Sequence, residues 1–261
     1  MTDLFGNKIT REIWANVENV ILVYLGSAAD FALNSENHWL FFTTKLPSNP
    51  QQRFMETFSH NQKIFFGHKD EIPAIARRIR NIHTYIEKQR TQEESKPNKI
   101  PNKAFIEVGD MLIDYGIRGY EYLHRRTLTD REKEIYYQDE RQFFDLMGIS
   151  DLDASYKDFR QRRDKSIAHD LQINEYTDQL YAAYRKDLGA IGYWIFIQFQ
   201  AHFIDQILAK RLHLKKNLLF TPLYKLYPYI SWLGLFNIFA WLFLKREVRA
   251  LLAKMKQKQP S

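Results

Sequence analysis

With 261 residues, 45% of them hydrophobic and 15% aromatic, the chain can bury a substantial core and is not a disordered protein. It has no cysteine, which excludes disulfides, thiolate zinc sites, iron–sulfur clusters and thiolate-bound iron. The net charge of +7 invites a nucleic-acid reading, but the basic residues are intermixed with 31 acids and no recognition motif accompanies them; a solvated surface and anionic lipid head groups account for the charge as well, and nucleic acid is not taken as a partner.

The apolar run Ile21–Leu25 lies too far in, behind Glu12 and Glu18, for a secretory signal. The stretch from Trp14 to Leu33 reads instead as a first amphipathic helix. Asn49-Pro50 breaks the chain, and a helix is expected from about Gln51 that places Arg53 and Thr57 on one face. After a turn at Phe66-Gly67, Asp70 can cap a further helix with Pro73 in its first turn. Ile72, Ile75, Ile79, Ile82 and Ile86 form its apolar stripe; His83 stands on the edge of that stripe, with Arg77, Arg78 and Arg80 beside it. On spacing alone, His83 is a core residue or a metal ligand.

Residues Arg90 to Lys103 are polar, carry two prolines and read as a loop. A helix follows from about Ala104 to His124, with Phe105, Val108, Leu112, Tyr115 and Tyr122 on its apolar side. Gly109, Gly116 and Gly119 are costly inside it, at about 1 kcal/mol each relative to Ala, and point to close approach by another helix or a flat ligand. Thr129-Asp-Arg-Glu132 is a capping box for a helix ending at Gly148, with Ile135, Phe143, Phe144, Leu146 and Met147 inward. Ser155 to Asp158 can cap another helix through Ile167, whose Arg160, Arg162, Arg163 and Lys165 are expected on a solvated face. A long helical stretch from Glu175 to Leu212 is apolar on all sides around Tyr193–Ile197, so it is expected to be the central buried helix.

Leu226 to Leu244 contains 19 residues without a charge between Lys225 and Lys245, just long enough to span a bilayer. Trp232, Trp241, Tyr227 and Tyr229 suit interfaces, while Pro228, Gly234 and Asn237 weaken a span; membrane association, spanning or monotopic, is the expectation. No strand-like alternation stands out, so the fold class is all-α. A glycine-rich phosphate loop, HExxH and Gly-x-Ser-x-Gly are all absent. His60 and His68 with Asp70 and Glu71 are exposed loop polars or a metal cluster; His169-Asp170 is a poor dyad; His202 and Asp205, one turn apart, can pair.

Arg53-(x3)-Thr57, the Phe66-Gly67 turn, Ile82-His83, the run Met111 to Tyr115 and the run Thr127 to Glu132 occur in the order and spacing of the MpaB-type oxygenase family, which includes the rubber oxygenases, and the chain resembles that family from about Asn49 to Leu212. The resemblance implies a single helical domain with a globin-like core, haem b as cofactor, and iron held by His83. It also implies that Arg53 and Thr57 lie in the haem pocket as catalytic and cofactor-binding residues, with Arg80 as a further cofactor contact, and that dioxygen and an apolar isoprenoid or other lipid are the substrates. Two positions depart from the family pattern: Glu56 stands where rubber oxygenases carry a lysine, and Gly109 where the family commonly has a histidine. A Gln and a His-Pro pair common near the N-terminus are replaced by Leu25 to Asp30.

The expected organisation is a haem-binding helical domain over residues 1–214 and a hydrophobic, membrane-associated segment with a basic tail over 215–261. The expected location is cytoplasmic, peripheral or anchored at the inner membrane and not secreted. Two rivals remain: a haem sensor or carrier that turns over no lipid, and a cofactor-free membrane-associated helical protein in which His83 is core.

Overall fold

Asn16 decides how the N-terminal apolar run folds. Its side chain accepts hydrogen bonds from the backbone N–H groups of Glu18 (2.9 Å) and Asn19 (3.2 Å), which caps a new helix and breaks the single one expected over Trp14–Leu33. The result is α1 (Lys8–Ala15) and α2 (Val17–Leu33). The computed structural model describes residues 7–35, 64, 69–90 and 102–231. After a 3₁₀ turn at Lys69–Glu71 come α3 (Ile72–Arg90), α4 (Asn102–His124), α5 (Asp130–Leu146), α6 (Tyr156–His169), α7 (Thr177–Phe203), α8 (Gln206–Arg211) and α9 (Phe220–Ile230). The described residues contain no strand, so the fold is all-α.

Several boundaries follow from the local chemistry read in the sequence. Pro73 sits in the first turn of α3, where a missing N–H costs nothing. The capping box at α5 forms in full: Thr129 Oγ1 accepts from Glu132 N at 3.2 Å, and Glu132 Oε2 accepts from Thr129 N at 2.8 Å. Ser155 caps α6 through Asp158 N. The stretch from Glu175 to Leu212 is broken twice. Gly189 takes a left-handed φ of 68° inside α7, and the Asp205 carboxylate accepts from Ile207 N to start α8 afresh.

The centre of the fold is α2 packed against α4 and α7. Tyr115, Ile113 and Met111 of α4 are among the most buried large side chains. The middle of α7, expected to be buried on all sides, is buried on one: Phe196 is 4% exposed, Tyr193, Ile195 and Ile197 are partly covered, and Trp194 is 46% exposed. An all-round apolar pattern says that no face is polar, not that protein covers every face. Ile82, expected on the inward stripe of α3, is also exposed.

Close helix approach explains the glycines of α4, and in each case the neighbour is a side chain from another helix. A Cβ on Gly109 would sit 2.6 Å from Phe144 Cζ of α5; one on Gly116 would meet the Tyr136 hydroxyl at 2.5 Å, and one on Gly119 would strike the Asn19 amide. On α2, a Cβ at Gly26 would enter the ring of Tyr115. Asn19 binds the same junction from the other side, donating to Ile13 O (3.0 Å) and Gly116 O (3.1 Å). The C-terminus of α2 is closed by the α6–α7 connection: Thr177 Oγ1 donates to Ala32 O (2.6 Å) and Gln172 N to Leu33 O (2.9 Å).

Tyr115 has no room to yield, so Gly26→Ala should destabilise by about 1–3 kcal/mol or more through overpacking. Gly148→Ala, at a left-handed φ of 76° in open space, should cost only about 1 kcal/mol. Urea melts of both variants test this, and a Gly26→Ala protein that melts with wild type would refute the close α2–α4 contact.

Candidate functional site

α3 carries the part of the expected site that the structure describes. Ile72 and Ala76 are buried and Ile75 and Ile79 partly so, which docks one side of the helix toward α5 and the start of α4. Arg77 and Arg78 are exposed, but Arg80 is half-buried, with its guanidinium carbon 5.0 Å from the centre of the Phe105 ring of α4. That is a cation–π contact in place of the solvated arginine that a surface helix would carry. Arg80 Nη1 is buried and has no hydrogen-bond partner. His83 follows on α3 three residues later, about 4.5 Å along the axis. Thr84 Oγ1 donates back to Arg80 O at 3.1 Å. Arg80 and His83 are thus both positions of α3. Arg53, Thr57 and Glu56 lie outside the described residues, as do the Phe66-Gly67 turn, His60 and His68.

A second polar centre was not foreseen. The arginines of α6, expected on a solvated face, turn inward onto acids of α2 and α4. Arg163 is 2% exposed and pairs with Asp30 through Nη1 (2.6 Å) and with Asp114 through Nε (3.2 Å). Asp114 also accepts from Arg160 (2.7 Å) and Arg118 (2.9 Å). One turn earlier on α4, Asp110 is held by Arg162, which also reaches Asp153 at 2.7 Å. The Tyr115 hydroxyl donates to Asp30 at 2.6 Å. The cause is desolvation. Three carboxylates buried on α2 and α4 demand cations, and α6 is the helix that supplies them.

Electrostatics fix the protonation of this cluster. Burial alone would raise the carboxyl pKa of Asp114, but Arg118, Arg163 and Arg160 hold it well below the usual range. Burial lowers the affinity of Arg163 for its proton, but Asp30 and Asp114 outweigh that and keep it charged. Burial, helped by Asp30, pushes the Tyr115 phenol up, so it stays a donor. A carboxylate saturated by three arginines is a poor base, so the cluster is a clamp between helices. The sequence signal was available in two acids four apart, Asp110 and Asp114, inside an apolar, glycine-bearing helix.

The junction of α1 and α5 holds a third polar group. Glu140 is buried and accepts from Trp14 Nε1 at 2.7 Å, while Asp139 accepts from Thr10 Oγ1 (2.5 Å) and Asn7 Nδ2 (2.8 Å). Burial, reinforced by Asp139 and opposed by the Trp14 hydrogen bond, pushes the Glu140 carboxyl up to about 8.

Other expected pairings are not formed. His202 does not pair with Asp205: its Nδ1 lies 2.7 Å from Gln198 O and its Nε2 3.0 Å from Thr221 Oγ1, while Asp205 caps α8. The Asp205 carboxylate is turned to Ile207 N and lies 3.8 Å from Arg118 instead. His169 is exposed at the last turn of α6, and Asp70 and Glu71 are exposed in the 3₁₀ turn. Among the described residues, no group of three His, Asp or Glu could hold a metal ion. Gly109 lies under Phe144, so no side chain from that position is available to a ligand.

Two titrations follow. The folded pKa of Asp114 is below its unfolded value, so its contribution is present above about pH 4 and lost as pH falls through the lower folded value. Asp114→Asn should destabilise at neutral pH by about 3–5 kcal/mol, since it leaves Arg163 short of a buried partner, and should flatten the acid limb of stability against pH. Glu140 has the opposite sign. Its folded pKa is raised, so stability is full below about pH 4.5 and falls as pH rises through about 8. Glu140→Gln should therefore match wild type near pH 4 and exceed it at pH 9 by on the order of 3 kcal/mol. Denaturant melts across that range decide both, and equal stabilities at pH 9 would contradict the second.

Comparison with curated proteins and with solved structures returned no match. Residues 14–234 match the model of a family described as ER-bound oxygenase mpaB/B'/rubber oxygenase, catalytic domain. That span takes in every helix from α2 to α9 and most of the chain, so the chain belongs to this family of oxygenase catalytic domains.

Proposed function

We propose that the protein is a haem b-dependent oxygenase acting with dioxygen on an apolar substrate, an isoprenoid or another lipid. Family membership supports the oxygenase class. The observation that carries the cofactor is Arg80: a half-buried cation, seated on Phe105, with an unused donor one helical turn before a histidine. A buried guanidinium N–H without a partner is costly, and a carboxylate is the group that best satisfies it. A haem propionate is such a carboxylate, and a histidine, His83, follows three positions later on the same helix, so the residue types present fit the group.

In this reading His83 would bind the iron and Arg80 would hold a haem propionate. Arg53 and Thr57 are assigned, by the family pattern, to the same pocket, Arg53 as a charge partner and Thr57 as a hydrogen-bond donor. Haem, when bound, supplies the dioxygen and redox chemistry that no side chain here carries. The protein's own part is to orient the cofactor from α3, to keep the pocket dry with the apolar side of that helix, and to hold a positive charge at its rim. The clamp of Asp114 and its arginines is already neutralised, so it offers no base to the reaction.

One observation favours a second reading, a haem protein without turnover. The position where the family commonly carries a histidine is Gly109, and Phe144 fills the space above it. A protein built so would bind haem but lack that side chain at the reacting face.

The visible spectrum of protein expressed with haem precursor separates these readings. Wild type should show a Soret band. His83→Ala should lose or shift it and regain it with added imidazole, which a merely structural histidine would not do. Arg80→Leu should keep the ligand-field bands but lose haem roughly 10-fold faster. Oxygen uptake with isoprenoid lipid then distinguishes oxygenase from carrier. Absence of any band after reconstitution with hemin would end both haem readings and leave the cofactor-free one.

A further inference from the structure

α9 is apolar on two sides, and among the described residues only one is packed against other helices. Inward, Tyr224 stacks on Tyr122 at 4.6 Å, Phe220 meets Phe199 edge-on at 5.4 Å, and Tyr227 donates to Glu18 at 3.2 Å. Outward, Leu219, Leu223 and Leu226 recur at helical spacing and are exposed, with Leu218 beside them. Leu218 and Leu219 are 85% and 89% exposed, far beyond what a folded chain leaves on a leucine without cause. The exposed indole of Trp194 on α7 packs edge-on against Phe220 at 5.5 Å.

This face is held in place. Gln198 of α7 donates to Lys215 O (3.3 Å) and accepts from Asn217 N (2.8 Å), and Asn217 Oδ1 accepts from Leu219 N (2.8 Å). The leucines therefore project from a braced turn and a helix. Lys215, Lys216 and Lys225 are exposed around them, and the Arg125 guanidinium lies 3.9 Å above the ring of Tyr229. The positive charge of the chain is not evenly spread: residues 206–261 hold eleven of the 38 basic residues and a single acid, Glu247. The 19 uncharged residues from Leu226 to Leu244 begin on this helix.

We propose that this face docks on an anionic lipid bilayer, with Leu218, Leu219, Leu223 and Leu226 at the acyl boundary and Lys215, Lys216 and Lys225 at head-group phosphates. An apolar centre with a rim of one sign is the pattern of an interfacial helix, in which area burial and attraction to anionic lipid act together. A second copy of the chain is a poor occupant, because symmetric pairing would bring the lysines of both copies together. The docking rests on this geometry and not on the haem reading.

The chain has no cysteine, so single-site labelling of the full-length protein is clean. Leu219→Cys and Leu223→Cys, carrying an environment-sensitive fluorophore, should brighten and shift to the blue on vesicles of phosphatidylcholine with phosphatidylserine. The same label at Arg131→Cys on α5 should not. Leu219→Asp combined with Leu223→Asp should weaken partitioning at least about 10-fold, and Lys215→Glu with Lys216→Glu should remove the preference for phosphatidylserine. Labels that stay aqueous while the protein sediments with vesicles would assign anchoring to another part of the chain and overturn the proposal. So would failure to bind vesicles at all, or a label shift that follows protein concentration without lipid, which would make the face a protein contact.

Discussion

The buried charge on Arg163 is the constraint on which the arrangement of the helices depends. A guanidinium that is 2% exposed survives only if its charge is matched, and Asp30 of α2 and Asp114 of α4 match it from two different helices. Three helices must meet at one point for that balance to hold. The geometry leaves little freedom, because Asp114 also takes Arg160 and Arg118, and Asp30 also takes the Tyr115 hydroxyl. Such a cluster is weak evidence for net stability, since apolar side chains of equal volume would serve as well or better. Its effect is to penalise other packings: sliding α6 by one turn would strand a buried charge.

Tight contact between α2 and α4 follows from the same constraint. Tyr115 must reach Asp30, and its ring lies where a Cβ of Gly26 would otherwise be. Gly116 and Gly119, on either side of the Asn19 hydrogen bonds, keep the rest of α4 close to its neighbours. The glycines and the ion pairs are thus two halves of one solution. Small residues bring the backbones together, and the charges fix the register at which they meet.

Much of the fold was legible in local chemistry. The capping box at Thr129, the cap at Ser155 and Pro73 in a first turn each place a helix start, because capping depends only on residues within one turn. The glycines of α4 also announced a close neighbour, but the identity of a distant partner was not legible. Arg163 reads as surface until Asp30, 133 positions earlier, is known to lie opposite it. The middle of α7 reads as central because its apolar residues carry no label saying what covers them. Gly189 and Asp205 break a helix that the pattern ran straight through, since neither residue forbids a helix by itself. At the candidate site, the sequence pointed to α3 and to Arg80 beside His83, but not to Phe105, whose ring supplies the seat for the guanidinium. That contact too joins helices far apart in sequence.

The arginines of this chain divide by whether their charge is already used. Those of α6 are charge-paired with carboxylates that the fold itself buried, and one buried donor, Arg163 Nη2, stays without a hydrogen bond inside that pairing. Arg80 differs in its partner: its face rests on an aromatic ring, which stabilises a cation without neutralising it, and its buried Nη1 has no hydrogen bond. An anion held there would complete a site that the protein leaves electrically open, while one placed near α6 would have to displace an existing partner. The same reasoning separates the apolar surfaces. The inward side of α9 is closed by Tyr122, Phe199 and Glu18, whereas its leucine side is open and ringed by lysines. Unspent charge at Arg80 and unspent apolar surface at α9 are thus two places among the described residues where a complementary group would gain most, because the fold has supplied none there.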